Sequence, residues 1–208
     1  MKKMDAKSLV LLGLLSAIVV LFSFTPIGSI PIGPLVITLN IIPIAIAAIA
    51  LGPTGGLIVG SVFGLFSFLQ CFGIGIPSGM GATLAGISPF LAFVQRFVPR
   101  ALDGFLVGLI FKGTSKAAGV SIASFVTGFF SAFLNTLFFM GALVLLFGHT
   151  EYVQGLMDGR SFLPFVVGFV GINAVFEMLA STIISGAVGT ALYKAKLIKP
   201  DVKKAEQN

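Results

Sequence analysis

Residues 89–112 read PFLAFVQRFVPRALDGFLVGLIFK, an apolar run long enough to cross a bilayer that nevertheless carries Gln95, Arg96, Arg100 and Asp103. A hydrocarbon core of ~30 Å needs ~20 apolar residues in helical form. An arginine at the centre of such a helix costs ~2.5–3.5 kcal/mol on insertion scales, so membrane-depth charges face a protein interior or a wet cavity. Arg96, Arg100 and Asp103 stand at i, i+4 and i+7, on one helical face, and phenylalanine, leucine and valine cover the rest. The stretch reads as a membrane helix that forms one wall of a solute site.

The remainder of the chain has the same character. Of 208 residues, 57% are hydrophobic and 10% charged, too few polar groups to clothe a water-soluble core. Hydropathy separates six stretches of spanning length, 8–24, 36–51, 55–72, 89–111, 118–147 and 163–193, followed by a basic tail over 194–208. Backbone polar groups must be satisfied internally in lipid, and runs this long and continuous are helices rather than barrel strands. The expected fold is an all-α integral membrane protein, a single domain of six transmembrane helices. If the spans alternate, all ten lysines (Lys2, Lys3, Lys7, Lys112, Lys116, Lys194, Lys196, Lys199, Lys203 and Lys204) fall on one face, and Arg160 is the sole Lys or Arg outside a span on the other. The positive-inside rule then places both termini in the cytoplasm, N-in and C-in. The net charge of +6 follows from this topology and from attraction to anionic lipid, and gives no ground for nucleic-acid binding. The first 25 residues read as a span rather than a cleaved signal, because the apolar run exceeds a typical signal core and Ser23-Phe24-Thr25 lacks a small-residue cleavage pattern. Cys71, the one cysteine, has no partner for an internal disulfide and is expected as a buried thiol.

Polar residues recur at membrane depth in the other spans. Asn40 and Gln70 sit at similar outer depth in the second and third, Asn135 lies in the fifth beside Ser131 and Thr136, and Asn173 and Glu177 share a face of the sixth. At ~1.5 Å per residue, Arg96, Asn135 and Asn173 lie ~10–18 Å from the outer ends and can share one outward-opening cavity. Asp103 and Glu177 lie deeper. Asp103 follows Arg100 by three residues, a spacing that suits an ion pair, and this makes Arg96 the better candidate for an anionic ligand. The candidate ligand set is Arg96, Asn135, Asn173, Asn40, Gln70, Gln95, Arg100 and Glu177. Two uncharged outer loops, TPIGSIPIGP over 25–34 and FGIGIPSGMGATLAGIS over 72–88, are rich in Gly and could cover a pocket; the first, with its prolines, is expected to be irregular and stiff.

Gly56, Gly60 and Gly64 form a continuous small-residue stripe, and Gly13 with Ala17 forms a shorter one in the first span. Such stripes let helix backbones approach closely, either inside the chain or against another subunit. No phosphate-binding loop, zinc motif or activated nucleophile is present, and His149 has no metal-ligand companion at a telling spacing. No cofactor is expected.

The pattern ALGPTGGLIVGSVFGLFSF over 50–68, with SPF over 88–90 and FVPRALDGFLVGLIFK over 97–112, resembles the substrate-binding S components of energy-coupling factor vitamin transporters, most of all the pantothenate-specific members. The resemblance covers essentially the whole chain. It implies a high-affinity vitamin-binding subunit that works with a transmembrane coupling subunit and two cytoplasmic ATPases. It also implies that the small residues Gly13, Ala17, Gly56, Gly60 and Gly64 contact the coupling subunit, although Gly13 departs from the family's Ala-x-x-x-Ala form. Pantothenate, a small carboxylate with an amide and two hydroxyls, suits an inventory of Arg, Asn and Gln. Other readings are an S component for riboflavin, folate or thiamine, a membrane enzyme using Glu177, and an assembly subunit.

Overall fold

The computed structural model describes residues 5–32 and 35–198. Lys2, Lys3, Lys199, Lys203 and Lys204, most of the basic tail, and Gly33 and Pro34 of the first loop lie outside the described residues. The elements in chain order are α1 (Ala6–Phe24), β1 (Ser29–Ile32), β2 (Leu35–Thr38), α2 (Ile41–Leu69), a 3-10 turn (Gln70–Phe72), α3 (Gly79–Ile87), α4 (Pro89–Phe147), α5 (Glu151–Met157) and α6 (Phe162–Lys194). Among the described residues four helices, α1, α2 with its 3-10 turn, α4 and α6, are long and apolar enough to cross a membrane.

Two of the four are broken by a glycine. Gly52 in α2 and Gly119 in α4 have φ of 71° and 81°, the left-handed region that a residue with a Cβ avoids. Each break reverses the chain, so the fold runs as six apolar rods. In α2, Gly55 comes back against the carbonyl of Ala47, and Gly56 against the Ala48 side chain. In α4, Ser131 reaches Asp103 and Gln95 reaches Phe139, pairings possible only if the arms 89–118 and 120–147 lie antiparallel. The third seam joins the second arm of α4 to α6, where Gly128 meets the Ser181 carbonyl and Gly189 meets Ser124.

The two ends of the bundle differ in chemistry. At one end Phe111, Val120 and Ile49 cluster with Ile198, which gathers Lys112, Lys116, Lys194 and Lys196 near the breaks at Gly52 and Gly119. Lys7 belongs to this end too, because the opposite end of α1 presents the Ser23 carbonyl to Gln70 Nε2 and Ile76 N, at 3.1 and 3.0 Å. Asp5 caps α1 there, and hydrogen bonds from Ser8 hold its carboxyl below the ordinary value.

The other end carries the covering elements. The first loop forms an antiparallel hairpin, with Ser29 opposite Thr38 and Ile32 opposite Leu35. Residues 36–38, read from sequence as the start of the second span, belong to this hairpin. Isoleucine, valine and threonine dominate the segment and favour pleated backbone. The helix begins at Ile41, so the arm 41–51 covers only ~16 Å, about half the hydrocarbon thickness. The hairpin fills the missing depth: Ile37 and Thr38 are buried, and Thr38 N donates to Glu177 Oε1 near the middle of α6 at 2.6 Å. On the other side α3, capped by Ser78, lays Met80, Leu84 and Ala85 on a core that includes Met140, Phe147, Val153 and Phe165.

Candidate functional site

The glycine stripe explains where the arginines stand. Gly56, Gly60 and Gly64 pack directly on the backbone of Gly104, Arg100 and Phe97, which brings α2 as close to the first arm of α4 as two helices can come. The stripe is therefore an internal seam, and the expectation that these three glycines contact another subunit is corrected: this chain's own α4 occupies that face. Arg96 and Arg100 are consequently pinned toward the middle of the bundle, 6% and 5% exposed.

They open on a cavity under the hairpin and α3. Its polar lining comprises Thr38, Ser67, Gln70, Ser78, Arg96, Arg100, Asn135, Thr136, Asn173 and Glu177, and its apolar lining includes Phe63, Met80, Phe139, Met140 and Val170. Of the eight residues expected from sequence, Arg96, Arg100, Asn135, Asn173, Gln70 and Glu177 meet here. Gln95 and Asn40 do not line the cavity. Gln95 is fully buried on the flank of α4, with Nε2 3.4 Å from the Phe139 carbonyl. Asn40 is fully buried at the head of α2, where its backbone N–H donates to Thr38 Oγ1 at 3.3 Å. The turn of the helix rotates Gln95 off the cavity face, and Asn40 falls in the turn between the hairpin and α2 rather than inside a span.

The cationic wall is held by aromatic faces. The Arg100 guanidinium lies 4.2 Å from the Phe139 ring centroid and 5.3 Å from that of Phe63; Arg96 lies 5.2 Å from Phe139. A desolvated cation–π contact contributes about 2 kcal/mol, which offsets part of the cost of burying the charge. Arg96 Nη2 donates to Ser78 Oγ at 3.0 Å and Arg100 Nη1 to the Gln95 carbonyl at 3.4 Å, while both Nε atoms are buried with no partner among the described residues. The ion pair suggested by the Arg100–Asp103 spacing is not formed: Asp103 Oδ2 instead meets Ser131 Oγ at 3.3 Å. Asn135 Oδ1 is likewise buried without a partner. Across the cavity, Glu177 is held by the hairpin through Thr38 N.

The chain matches the family described as "ECF transporter, substrate-specific component" over residues 7–195. It belongs to that family. Its relatives include a protein named pantothenate transporter PanT from Leuconostoc mesenteroides subsp. mesenteroides, 28% identical over 203 residues, which span 92% of this chain and 95% of the relative. Another, named pantothenic acid transporter PanT, from Lactococcus lactis subsp. cremoris, is 28% identical over 210 residues, spanning 94% and 98% respectively. As an S component the chain is a multi-pass membrane subunit that binds a substrate, and it is not an enzyme.

Sequence reasoning missed several residues of this S component's cavity. Ser78 had a usable signal, because a serine ahead of a helical run is a favoured cap, and its Oγ accepts from Gly81 N at 3.1 Å as well as from Arg96. Thr38 was hidden by reading its segment as helix. Phe63 and Phe139 had no signal among 22 phenylalanines. Of the small residues in the first span, Gly13 and Ala17 are exposed, and Gly13 meets nothing within 4 Å.

Proposed function

We propose that the chain binds pantothenate as the S component of an importer whose energy comes from a transmembrane coupling subunit and two cytoplasmic ATPases. The observation that carries this reading is the pair of buried guanidiniums, Arg96 and Arg100, which line one cavity, keep donor atoms unpartnered and form no ion pair among the described residues. Buried charges are normally paired, so a wall of this kind suits a ligand carboxylate that supplies the countercharge. Asn135, Asn173, Gln70 and Glu177 add amide and carboxylate groups that match the amide and hydroxyls of pantothenate. Both named relatives support the same ligand.

The cavity lies at the end covered by the hairpin and α3, while Lys7, Lys112, Lys116, Lys194 and Lys196 gather at the other. With the lysine end in the cytoplasm, as the positive-inside rule directs, the cavity faces outward and both ends of the chain are inside. The exposed small-residue face of α1, at Gly13 and Ala17, is the docking surface for the coupling subunit.

Mass spectrometry of small molecules released from the purified chain, followed by calorimetric titration with pantothenate, tests the reading. Pantothenate is expected to be released and to bind at submicromolar concentration, with riboflavin, thiamine and folate failing to compete. Release of a different vitamin, with no heat from pantothenate, rejects this ligand.

A further inference from the structure

Asp103 is the buried charged residue of the opening stretch that the cavity does not use. It is fully buried, one helical turn beyond Arg100, and belongs to the seam between the two arms of α4. Three oxygens from three rods line up here. Ser131 Oγ is 3.3 Å from Asp103 Oδ2 and 3.3 Å from the carbonyl oxygen of Ile41, at the head of α2. Ser131 is also fully buried, and Asp103 Oδ1 has no partner among the described residues.

The hydrogen inventory of this line decides its protonation. A serine hydroxyl carries one hydrogen, a backbone carbonyl none and an ionised carboxylate none. With Asp103 ionised, the Ser131 hydrogen would have to serve two acceptors, and the second carboxylate oxygen would stand bare in a hydrocarbon-depth interior. With Asp103 protonated, Oδ2–H donates to Ser131 Oγ, whose own hydrogen goes to the Ile41 carbonyl, so each contact has its hydrogen. Desolvation favours the same answer, since an unpaired buried carboxylate is far more costly than the neutral acid. Arg100 does not reverse this, because its guanidinium is directed to Phe139, Phe63 and the Gln95 carbonyl. The charged groups lining the cavity above it are Arg96 and Arg100 on the same helix and Glu177 on α6. Ile41 of α2 and Ser131 of the second arm of α4 meet Asp103 through this line, and Gly56 and Ile44 of α2 pack beside it at Gly104.

We propose that Asp103 sits in this S component as a neutral carboxylic acid donating to Ser131, which leaves the positive charge of Arg96 and Arg100 in the cavity above it uncancelled by Asp103 and so selects an anionic ligand. The selectivity clause rests on reading the cavity as the ligand site. Arg96 and Arg100 contribute two positive charges, and Glu177 Oε1 accepts the Thr38 N–H at 2.6 Å. An ionised Asp103 would cancel part of the arginine charge and oppose the entry of an anion. As a neutral acid it ties three rods together without cancelling the countercharge of the ligand.

Infrared difference spectroscopy of the detergent-purified chain, wild type against Asp103→Asn, tests the protonation directly. A carbonyl stretch of a protonated carboxyl is expected in the wild type at neutral pH, with a component that is lost in Asp103→Asn and retained in Glu177→Gln. No such band, or a band removed only by Glu177→Gln, overturns the proposal. Asparagine keeps a donor toward Ser131, so pantothenate affinity in Asp103→Asn is expected within about twofold of wild type, and tightening of about tenfold or more would mean that a carboxylate had been opposing the ligand. If wild type binds no pantothenate, the ligand reading falls, and the infrared band still decides the state of Asp103.

Discussion

At the scale of single residues, the site is a problem of burying charge. Arg96 and Arg100 stand one turn apart, and like charges at that spacing repel. The Phe139 face, in contact with both, and the Ser78 hydroxyl on Arg96 lessen the cost without neutralising either charge. The proposed ligand carboxylate would complete the balance. Arg96→Ala is therefore expected to weaken pantothenate binding by about 2–5 kcal/mol, since truncating one member of a buried charge pair strands the other. Calorimetry on the folded variant measures this, and unchanged affinity would remove Arg96 from the site. Arg96→Lys should fall between the two, because a lysine keeps the charge but loses the planar fork and the stacking on Phe139. Gly81 offers a second probe: a Cβ there would come 2.8 Å from Arg96 Nη2 and 2.7 Å from Cys71 Sγ. Gly81→Val is expected to displace the guanidinium and weaken binding, with the melting temperature changed far less than by a substitution in a helix seam. Equal affinity would show that α3 has room to lift.

At the scale of elements, the chain shows what a sequence can and cannot disclose. The six-rod plan was legible because long apolar runs in lipid leave the backbone no alternative to helix, and the polar face of 89–112 was legible because Arg96 and Arg100 share a helical side. The hairpin was not legible, since TPIGSIPIGP carries proline and glycine at spacings that read as irregular chain, and its anchor on the bundle is Glu177, 139 residues from Thr38. The partner of the glycine stripe was equally hidden, because small residues mark a close approach without naming the helix that approaches. The structure names it as α4, and Gly60→Leu is expected to drive a side chain into the Arg100 backbone. Overpacking of this kind costs about 1–3 kcal/mol and often more against backbone, so loss of thermal stability and of ligand binding should appear together. Retained binding would mean that the seam can open. The hairpin has its own test. Glu177→Ala leaves Thr38 N–H without its acceptor, a loss of about 1–3 kcal/mol, and should speed proteolysis within 25–40, whereas Glu177→Gln keeps an acceptor and should protect that segment.

At the scale of the whole molecule, the rods are unequally enclosed, and this asymmetry supports α1 as the face on which the proposed coupling subunit docks. The rods of α2, α4 and α6 are joined by glycine seams at Gly56, Gly60, Gly64, Gly104, Gly108, Gly128 and Gly189, each pressed on a neighbouring rod. The rod α1 is held mainly along one face, through Leu15 and Val19 against Ile44, Ala47, Val59 and Phe63. Its opposite face presents Gly13 and Ala17 among exposed Leu9, Val10, Leu14 and Leu21. Lipid tails solvate leucine as well as any protein surface does, so apolarity alone drives no association between helices in a membrane. A bare glycine is different, because it allows backbone-to-backbone approach and the dispersion contacts that come with it. Gly13 is the one glycine of α1, and it is open where the other stripe is closed. Gly13→Leu should therefore abolish copurification with the transmembrane coupling subunit and uptake by the assembled importer, while the isolated chain keeps its melting temperature and its affinity for pantothenate. Copurification carried out beside calorimetry on the same preparation separates the outcomes. Intact assembly with Leu at position 13 would place the contact on another face, and loss of both assembly and binding would mean that α1 supports the cavity through Ser23, whose carbonyl receives Gln70 and Ile76.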